Sequence, residues 1–206
     1  MAVGGRGTAQ KTRSRSGRPR VASRDSLERV GFELFARKGF AATTVDDIAA
    51  EAGIARRTFF RYFASKNDLV WGDFEGQLEE LRRLLAAVPS STSVLDGLRT
   101  AIIAFNSFDP DVVPWHRRRM ELILRVPALQ ADSAVRFNAW REIITEFAAA
   151  RAGVPVSALE PRLLGSLALA TSVVSYEMWL EDDETDLSEV METAFRRLSF
   201  GDLLQS

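Results

Sequence analysis

The segment TTVDDIAAEAGIARRTFFRYFASK, from Thr43 to Lys66, constrains the fold more than any other part of the chain. Thr44 followed three residues later by Asp47 reads as a capping-box start, and Val45, Ile48, Ala49 and Ala52 then recur at helical spacing. Gly53 stands where that helix must end and the chain turn sharply, which a residue without a Cβ does at no steric cost. A second helix is predicted over about 55–63. At about 100° per residue, Phe59 and Phe63 share one face, while Arg57, Thr58 and Arg61 cluster on the other. An apolar back and a basic front on a short helix after a glycine turn is the layout of a helix-turn-helix reader of DNA. Taken alone, the same helix also reads as an ordinary surface helix with a solvated basic face.

Charge supports the first reading. Residues 1–70 carry 14 Lys and Arg against 7 Asp and Glu, a balance of +7. The remaining residues carry 13 against 21, a balance of −8, so the overall −1 conceals two unlike halves. A basic half suits nucleic acid, because neutralising phosphates releases condensed counterions. With no cysteine in 206 residues, disulfides, thiolate metal sites and thiol nucleophiles are excluded. No uninterrupted run approaches 18 apolar residues and the basic N-terminus lacks an apolar core, so neither a membrane span nor a signal peptide is expected, and the location is read as cytoplasmic.

Residues 1–22 hold Arg6, Lys11, Arg13, Arg15, Arg18 and Arg20 among glycines, serines and threonines, without one acid. Such a stretch cannot bury enough apolar area to offset its ordering entropy. It reads as a flexible basic arm for the duplex, with Arg18 and Arg20 the candidate contacts, or as a solubilising tail. A DNA-binding unit follows over 23–69. Its first helix is predicted from about Arg24 to Lys38, capped by Ser23, with Leu27, Val30, Gly31, Leu34 and Phe35 as the buried stripe. A fourth helix starts at Ser65 and is predicted to run unbroken through Leu69, Val70, Phe74, Leu78, Leu81 and Leu85 to Pro89, a rigid rod leading into the body over 70–206.

The stretch SLERVGFELFARKGFAATTVDDIAAEAGIARRTFFRYFASKNDL resembles the DNA-binding region of the tetracycline-repressor (TetR) family of transcriptional regulators. The resemblance implies an all-α fold, a homodimer, a palindromic DNA operator and a small-molecule effector. It implies that Thr44, Thr58, Tyr62 and Lys66 contact phosphates, and that Arg56, Arg57 and Phe60 face base edges; Arg61 joins the candidate DNA contacts by its place on the basic face. The chain departs from the family at Phe60, where a tyrosine is frequent, at Ala55, where a serine commonly caps, and at Ala64, where proline is common. The Arg56-Arg57 pair is unusual and suits guanine O6 and N7. RRTFFRYFASKNDLVWGDF with HRRRMELILRVPALQ is further similar to regulators encoded with mycofactocin biosynthesis, a subgroup of that family.

The second half reads as helices throughout: about 93–107, 114–125, 129–151, 157–180 and 186–200. On the last two, Leu163, Leu167, Ala170, Val174 and Met178 form one stripe and Leu187, Met191, Ala194 and Leu198 another. Small residues Gly165, Ser166, Ala168, Ser172 and Ser175 would allow close helix approach. An antiparallel pair meeting its symmetry mate would make a four-helix dimer interface. Aromatics and arginines interleave elsewhere, giving a candidate ligand site of Phe105, Trp115, His116, Arg119, Met120, Phe137, Trp140, Arg141, Ile144 and Tyr176. Apolar walls with arginines at the mouth suit an amphipathic acid such as an acyl-coenzyme A; core packing is the plainer reading of many of these aromatics. No metal site is expected, since the single histidine cannot assemble one, and no cofactor motif is present. There is no nucleophile motif or phosphate loop, so an enzyme is not the expectation. The leading reading is a ligand-responsive dimeric repressor; the alternative is an architectural or constitutive dimeric DNA binder without a ligand.

Overall fold

Ser23 opens the first helix by accepting a hydrogen bond from the Ser26 amide, while the Ser26 side chain accepts from the Ser23 amide. From this cap the computed structural model, which describes residues 23–200, is built of ten helices and no strand among the described residues. They are α1 (Arg24–Lys38), α2 (Val45–Glu51), α3 (Arg56–Phe59), α4 (Lys66–Trp71), α5 (Phe74–Ala86), α6 (Val94–Phe105), α7 (Val113–Arg125), α8 (Pro127–Ala152), α9 (Leu159–Glu181) and α10 (Leu187–Phe200). The all-α class is as the periodicity predicts.

The head is α1–α4. Thr44 and Asp47 form the expected reciprocal box at the start of α2, and Gly53 turns the chain at φ 66°. The second helix of the motif is shorter than predicted: α3 ends at Phe59, and the chain continues as turns through Tyr62. Ala55 offers no side-chain cap, and packing rather than helix length holds the segment, because Phe59 and Phe63 are both buried. Around them lie Leu27, Leu34, Ile48, Leu69 and Val70, each almost wholly excluded from solvent.

The predicted rod is broken. Gly72 ends α4 at φ 62° and ψ −140°, a conformation costly for any residue with a Cβ. Asp73 then caps α5 by accepting from the Gly76 amide. A Cβ on Gly72 would lie 2.2 Å from Nη1 of Arg119, so the break also makes room for that guanidinium. Reader and body are therefore joined at a hinge-like corner, not by a continuous helix.

The body packs α5, α6 and α8–α10 around Leu81, Ile102, Ile144, Tyr176, Trp179 and Met191. Phe74, Met120 and Leu124 are packed against both this core and that of the head. Ile123 and Leu129, from α7 and α8, belong to the head's core. In α9 four of the five small residues turn inward, Ser166 staying exposed: Ala168, Ser172 and Ser175 are buried, and a Cβ on Gly165 would lie 2.3 Å from Thr145 Oγ1 of α8. They permit close packing of α8 on α9 within the chain, which corrects their assignment to a subunit contact. Leu187 and Met191 of the α10 stripe are likewise buried in the chain's own core. Leu163, Leu167, Val174 and Met178 form an exposed apolar row on α9. That row raises α9 to a mean hydropathy of 1.3 over 18 residues, so by length and composition alone it could cross a membrane, although no uninterrupted apolar run announces it.

Candidate nucleic-acid interface and internal cavity

The outer side of the helix-turn-helix carries most of the residues named for DNA. Arg57 is exposed and has no hydrogen-bond or ion partner among the described residues. Arg56 is tethered: its Nη1 donates to Asp46 of α2 at 2.6 Å, and its guanidinium lies 5.4 Å from the Phe60 ring centre. Phe60 is 44% exposed, an unusual degree for a phenylalanine beside a basic face. Arg61 is exposed with its guanidinium 5.6 Å from the Tyr62 ring, and Thr58 and Tyr62 are half-buried. Thr44 is exposed, its hydroxyl donating to Asp47 at 2.7 Å. Arg18 and Arg20 lie outside the described residues.

Lys66 departs from expectation. Its Nζ donates to the carbonyls of Phe40 and Thr43 at 2.6 and 2.7 Å, and sits 4.1 Å from the Phe40 ring centre. Partial burial pushes its pKa below the ordinary lysine value. It clamps the loop before α2 to the start of α4, so two of its three donors are already occupied within the head.

A cavity of about 520 Å³ opens in the body beneath the corner at Gly72. It is bounded by Phe105, Trp115, His116, Arg119, Met120, Phe137, Trp140 and Tyr176, eight of the ten residues named from sequence. Ile144 is fully buried in the core instead. Arg141 points to a separate hollow between α8 and α9, with its stem against Gly165. Neighbours on a helix stand about 100° apart, so Trp140 and Arg141 cannot face the same space. Among the described residues Arg119 is the single cationic one lining the cavity, beside Asp73 and Glu80, and it is paired with Glu28, so no arginine here is free to hold an anionic head.

Sequence reasoning missed Trp71, Asn106 and Ser172, which also line the space. Trp71 reads as part of the head, and a single asparagine after an apolar helix has no periodic signature. Asn106 is nevertheless central. Its Nδ2 donates to the Ile102 carbonyl at 2.7 Å, its Oδ1 accepts from the Tyr176 hydroxyl at 2.6 Å, and Tyr176 lies 2.8 Å from Nε2 of His116. Burial, with a smaller contribution from Arg119, pushes the His116 pKa down to about 3. Burial likewise pushes the Tyr176 phenol above its usual range. At neutral pH both are uncharged.

Arg119 connects this cavity to the head. Its Nη2 donates to Glu28 of α1 at 2.5 Å, and both side chains are only 11% exposed. Arg24 of α1 donates to the Gly72 carbonyl at 2.7 Å. On the other side of the corner Arg136 of α8 bridges Asp68 of α4 and Asp132, with its guanidinium 4.9 Å from the Trp71 ring centre. Nε1 of Trp71 is buried without a hydrogen-bond partner among the described residues.

Comparison with known proteins places the chain in a family. Residues 92–202 match the family model described as the MftR C-terminal domain, and residues 29–70 match that of the bacterial regulatory proteins of the tetR family. The chain belongs to the TetR family, in its MftR branch. It is 43% identical over 182 residues to a Mycobacterium tuberculosis protein named as the mycofactocin biosynthesis transcriptional regulator MftR, covering 88% of this chain and 92% of that one. It is 31% identical to the HTH-type transcriptional regulator TcmR of Streptomyces glaucescens, over 84% of this chain and 79% of the relative. Among solved structures, Thermus thermophilus FadR in complex with lauroyl-CoA superposes with a TM-score of 0.55 at 26% identity, covering 89% and 97% of the two chains. Bacillus subtilis FadR in complex with stearoyl-CoA superposes at 0.61 and 16% identity, covering 87% and 99%. The head of this TetR-family regulator is thus a DNA-binding unit by family as well as by charge and geometry.

Proposed function

We propose that this regulator is a dimeric repressor that an amphipathic effector, an acyl-coenzyme A, releases from a palindromic operator. One observation carries the reading: the cavity shares its wall with the contacts that hold the reader in place. Trp71 belongs to the head's core and lines the cavity, and Arg119 lines the cavity and pairs with Glu28 of α1. A ligand that fits one arrangement of this wall favours one setting of the corner at Gly72. Two recognition segments in a symmetric dimer must enter major grooves about 34–36 Å apart, so a modest rotation of each head loses the fit. A coupling of about 1–3 kcal/mol suffices for a graded response.

The division of labour follows: residues 1–22 as a basic arm, 23–69 as reader, 70–206 as ligand-binding and dimerisation body, in a bacterial cytoplasm. Arg57, Arg56 and Phe60 meet base edges; Thr44, Thr58, Arg61 and Tyr62 meet the backbone. The exposed row on α9, with Val190, Ala194 and Leu198 of α10, borders a shallow apolar hollow suited to a second copy. The cavity is within the range of about 300–1,000 Å³ usual for small-molecule sites. Because no unpaired cation among the described residues lines it, a thioester, uncharged at its carbonyl, suits it better than a free carboxylate. The acyl-coenzyme A complexes of the two FadR proteins support that class.

The test is a titration of protein bound to a duplex selected from random sequence, against acyl-coenzyme A esters and free fatty acids of several lengths. Release by the esters at lower concentration than by the acids is expected. Tight, sequence-selective binding that no aliphatic ligand alters would leave a constitutive DNA binder.

A further inference from the structure

The hydrogen-bond chain at the polar end of the cavity has a fixed direction. The Ile102 carbonyl can only accept, so the Asn106 atom 2.7 Å from it is the amide nitrogen. Asn106 Oδ1 is then an acceptor, and the Tyr176 hydroxyl 2.6 Å away must donate to it. A phenol has one proton, so across the 2.8 Å contact Nε2 of His116 donates to the Tyr176 oxygen. A neutral imidazole with its proton on Nε2 has a bare lone pair on Nδ1. That nitrogen has no partner among the described residues and is not sealed from solvent or cavity, since the buried side-chain atoms lacking partners are Arg24 Nε and Trp71 Nε1. Phe108 covers the ring at a centroid distance of 3.9 Å and holds its plane. The ring forms part of the cavity wall, and the single cation on that wall among the described residues, Arg119, is already paired with Glu28.

We propose that the cavity selects an aliphatic ligand bearing an uncharged hydrogen-bond donor, a hydroxyl or an amide N–H, which bonds to Nδ1 of His116. The inference rests on the effector reading above and sharpens it. His116 is the ligand-binding residue; Tyr176 and Asn106 are positioning residues that keep the proton on Nε2. A carboxylate meets a lone pair at this point and is disfavoured. The donor has two possible sources: a hydroxyl on the chain itself, or an amide of the pantetheine arm of an acyl thioester.

Two matched pairs of probes separate these sources, with affinities measured by calorimetry on the full chain. Dodecanol is compared with its methyl ether, and the N-acetylcysteamine thioester of dodecanoic acid with the amide-free propyl thioester. Net hydrogen-bond worth implies that the donor-bearing member of at least one pair binds about three- to tenfold tighter. Discrimination in the first pair points to a chain hydroxyl, and in the second to the pantetheine amide. His116→Phe, which keeps a ring beside Phe108, brings the ratio to about one, and Tyr176→Phe, which removes the acceptor for Nε2–H and frees that proton to move to Nδ1, lowers the ratio. The wild-type comparison decides without either variant. Equal binding within both pairs, or dodecanoate binding more tightly than dodecanol, overturns the inference while leaving an acyl-coenzyme A effector intact. Failure of every probe and of lauroyl-coenzyme A to bind overturns the effector reading itself, and this inference with it.

Discussion

The head and the body solve opposite packing problems with similar residues. In the head, Phe59, Ile48, Leu27 and Leu69 are all but completely excluded from water and fill their space. In the body, Trp140, Phe137, Trp115 and Phe105 surround about 520 Å³ of it. A close-packed interior transmits displacement, whereas a hollow one can adopt more than one wall arrangement. The comparison teaches where control can reside: the reader is close-packed, the body encloses a cavity, and ion pairs beside Gly72 join the two.

The sharpest way to break this contrast is to truncate an aromatic on each side. Phe59→Ala should cost about 3–5 kcal/mol of unfolding free energy, as for a filled core site. Trp140→Ala should cost clearly less in the same denaturant measurement, because it enlarges an existing space, while ligand-driven release from DNA weakens. Equal losses would make Trp140 ordinary core.

Next in size is the coupling itself. Glu28→Gln leaves Arg119 nearly buried without its counter-charge, and a loss of roughly 3 kcal/mol is expected. Adding Arg119→Gln should recover part of that loss, and the double variant should still bind its operator but respond poorly to effector. Strict additivity of the two single losses would show that the pair does not couple head to body.

On the reader, Arg57→Ala should weaken cognate binding by about 1–3 kcal/mol, with much less change on random duplex and none in thermal stability. Lys66→Ala, by contrast, should lower thermal stability through the two carbonyls it leaves, and change the salt dependence of DNA binding little. A salt slope reduced by about one in Lys66→Ala would restore that residue to the phosphate contacts.

The last effect, about 1.4 kcal/mol for each pH unit, separates the body by pH. His116 has its pKa depressed from 6.5 to about 3, so the unfolded chain binds this proton more readily than the folded one. Its contribution is complete above about pH 6.5 and is lost as pH falls toward 3, at about 1.4 kcal/mol per pH unit. Asp47, Glu80 and Asp182 have lowered pKa values and move stability in the same direction. The relevant measurement is therefore the difference between wild type and His116→Phe from pH 7 to 4; identical slopes would mean that His116 is solvated in the folded state.

Local rules written in adjacent residues account for what the chain alone made legible. The Thr44–Asp47 box, the Gly53 turn, the shared face of Phe59 and Phe63, the caps at Ser23 and Ser65, and the stop at Gly153 each depend on neighbours within about four positions. Eight of the ten residues named for the cavity line it, because aromatics at helical spacing must meet something. The small-residue face of α9 and the stripe of α10 were visible as patterns, but which partner each face meets was not. Tertiary packing turned Ser172 and Ser175 inward, sent Arg141 away from Trp140, and drew the Lys66 ammonium onto carbonyls 23 and 26 residues earlier. It also broke the rod at Gly72. Glycine inside an apolar helical pattern is tolerated as often as it interrupts, and here the deciding partner, Arg119, lies 47 residues further along the chain. Faces are set by periodicity along the chain, whereas contacts are chosen by close packing among elements distant in sequence.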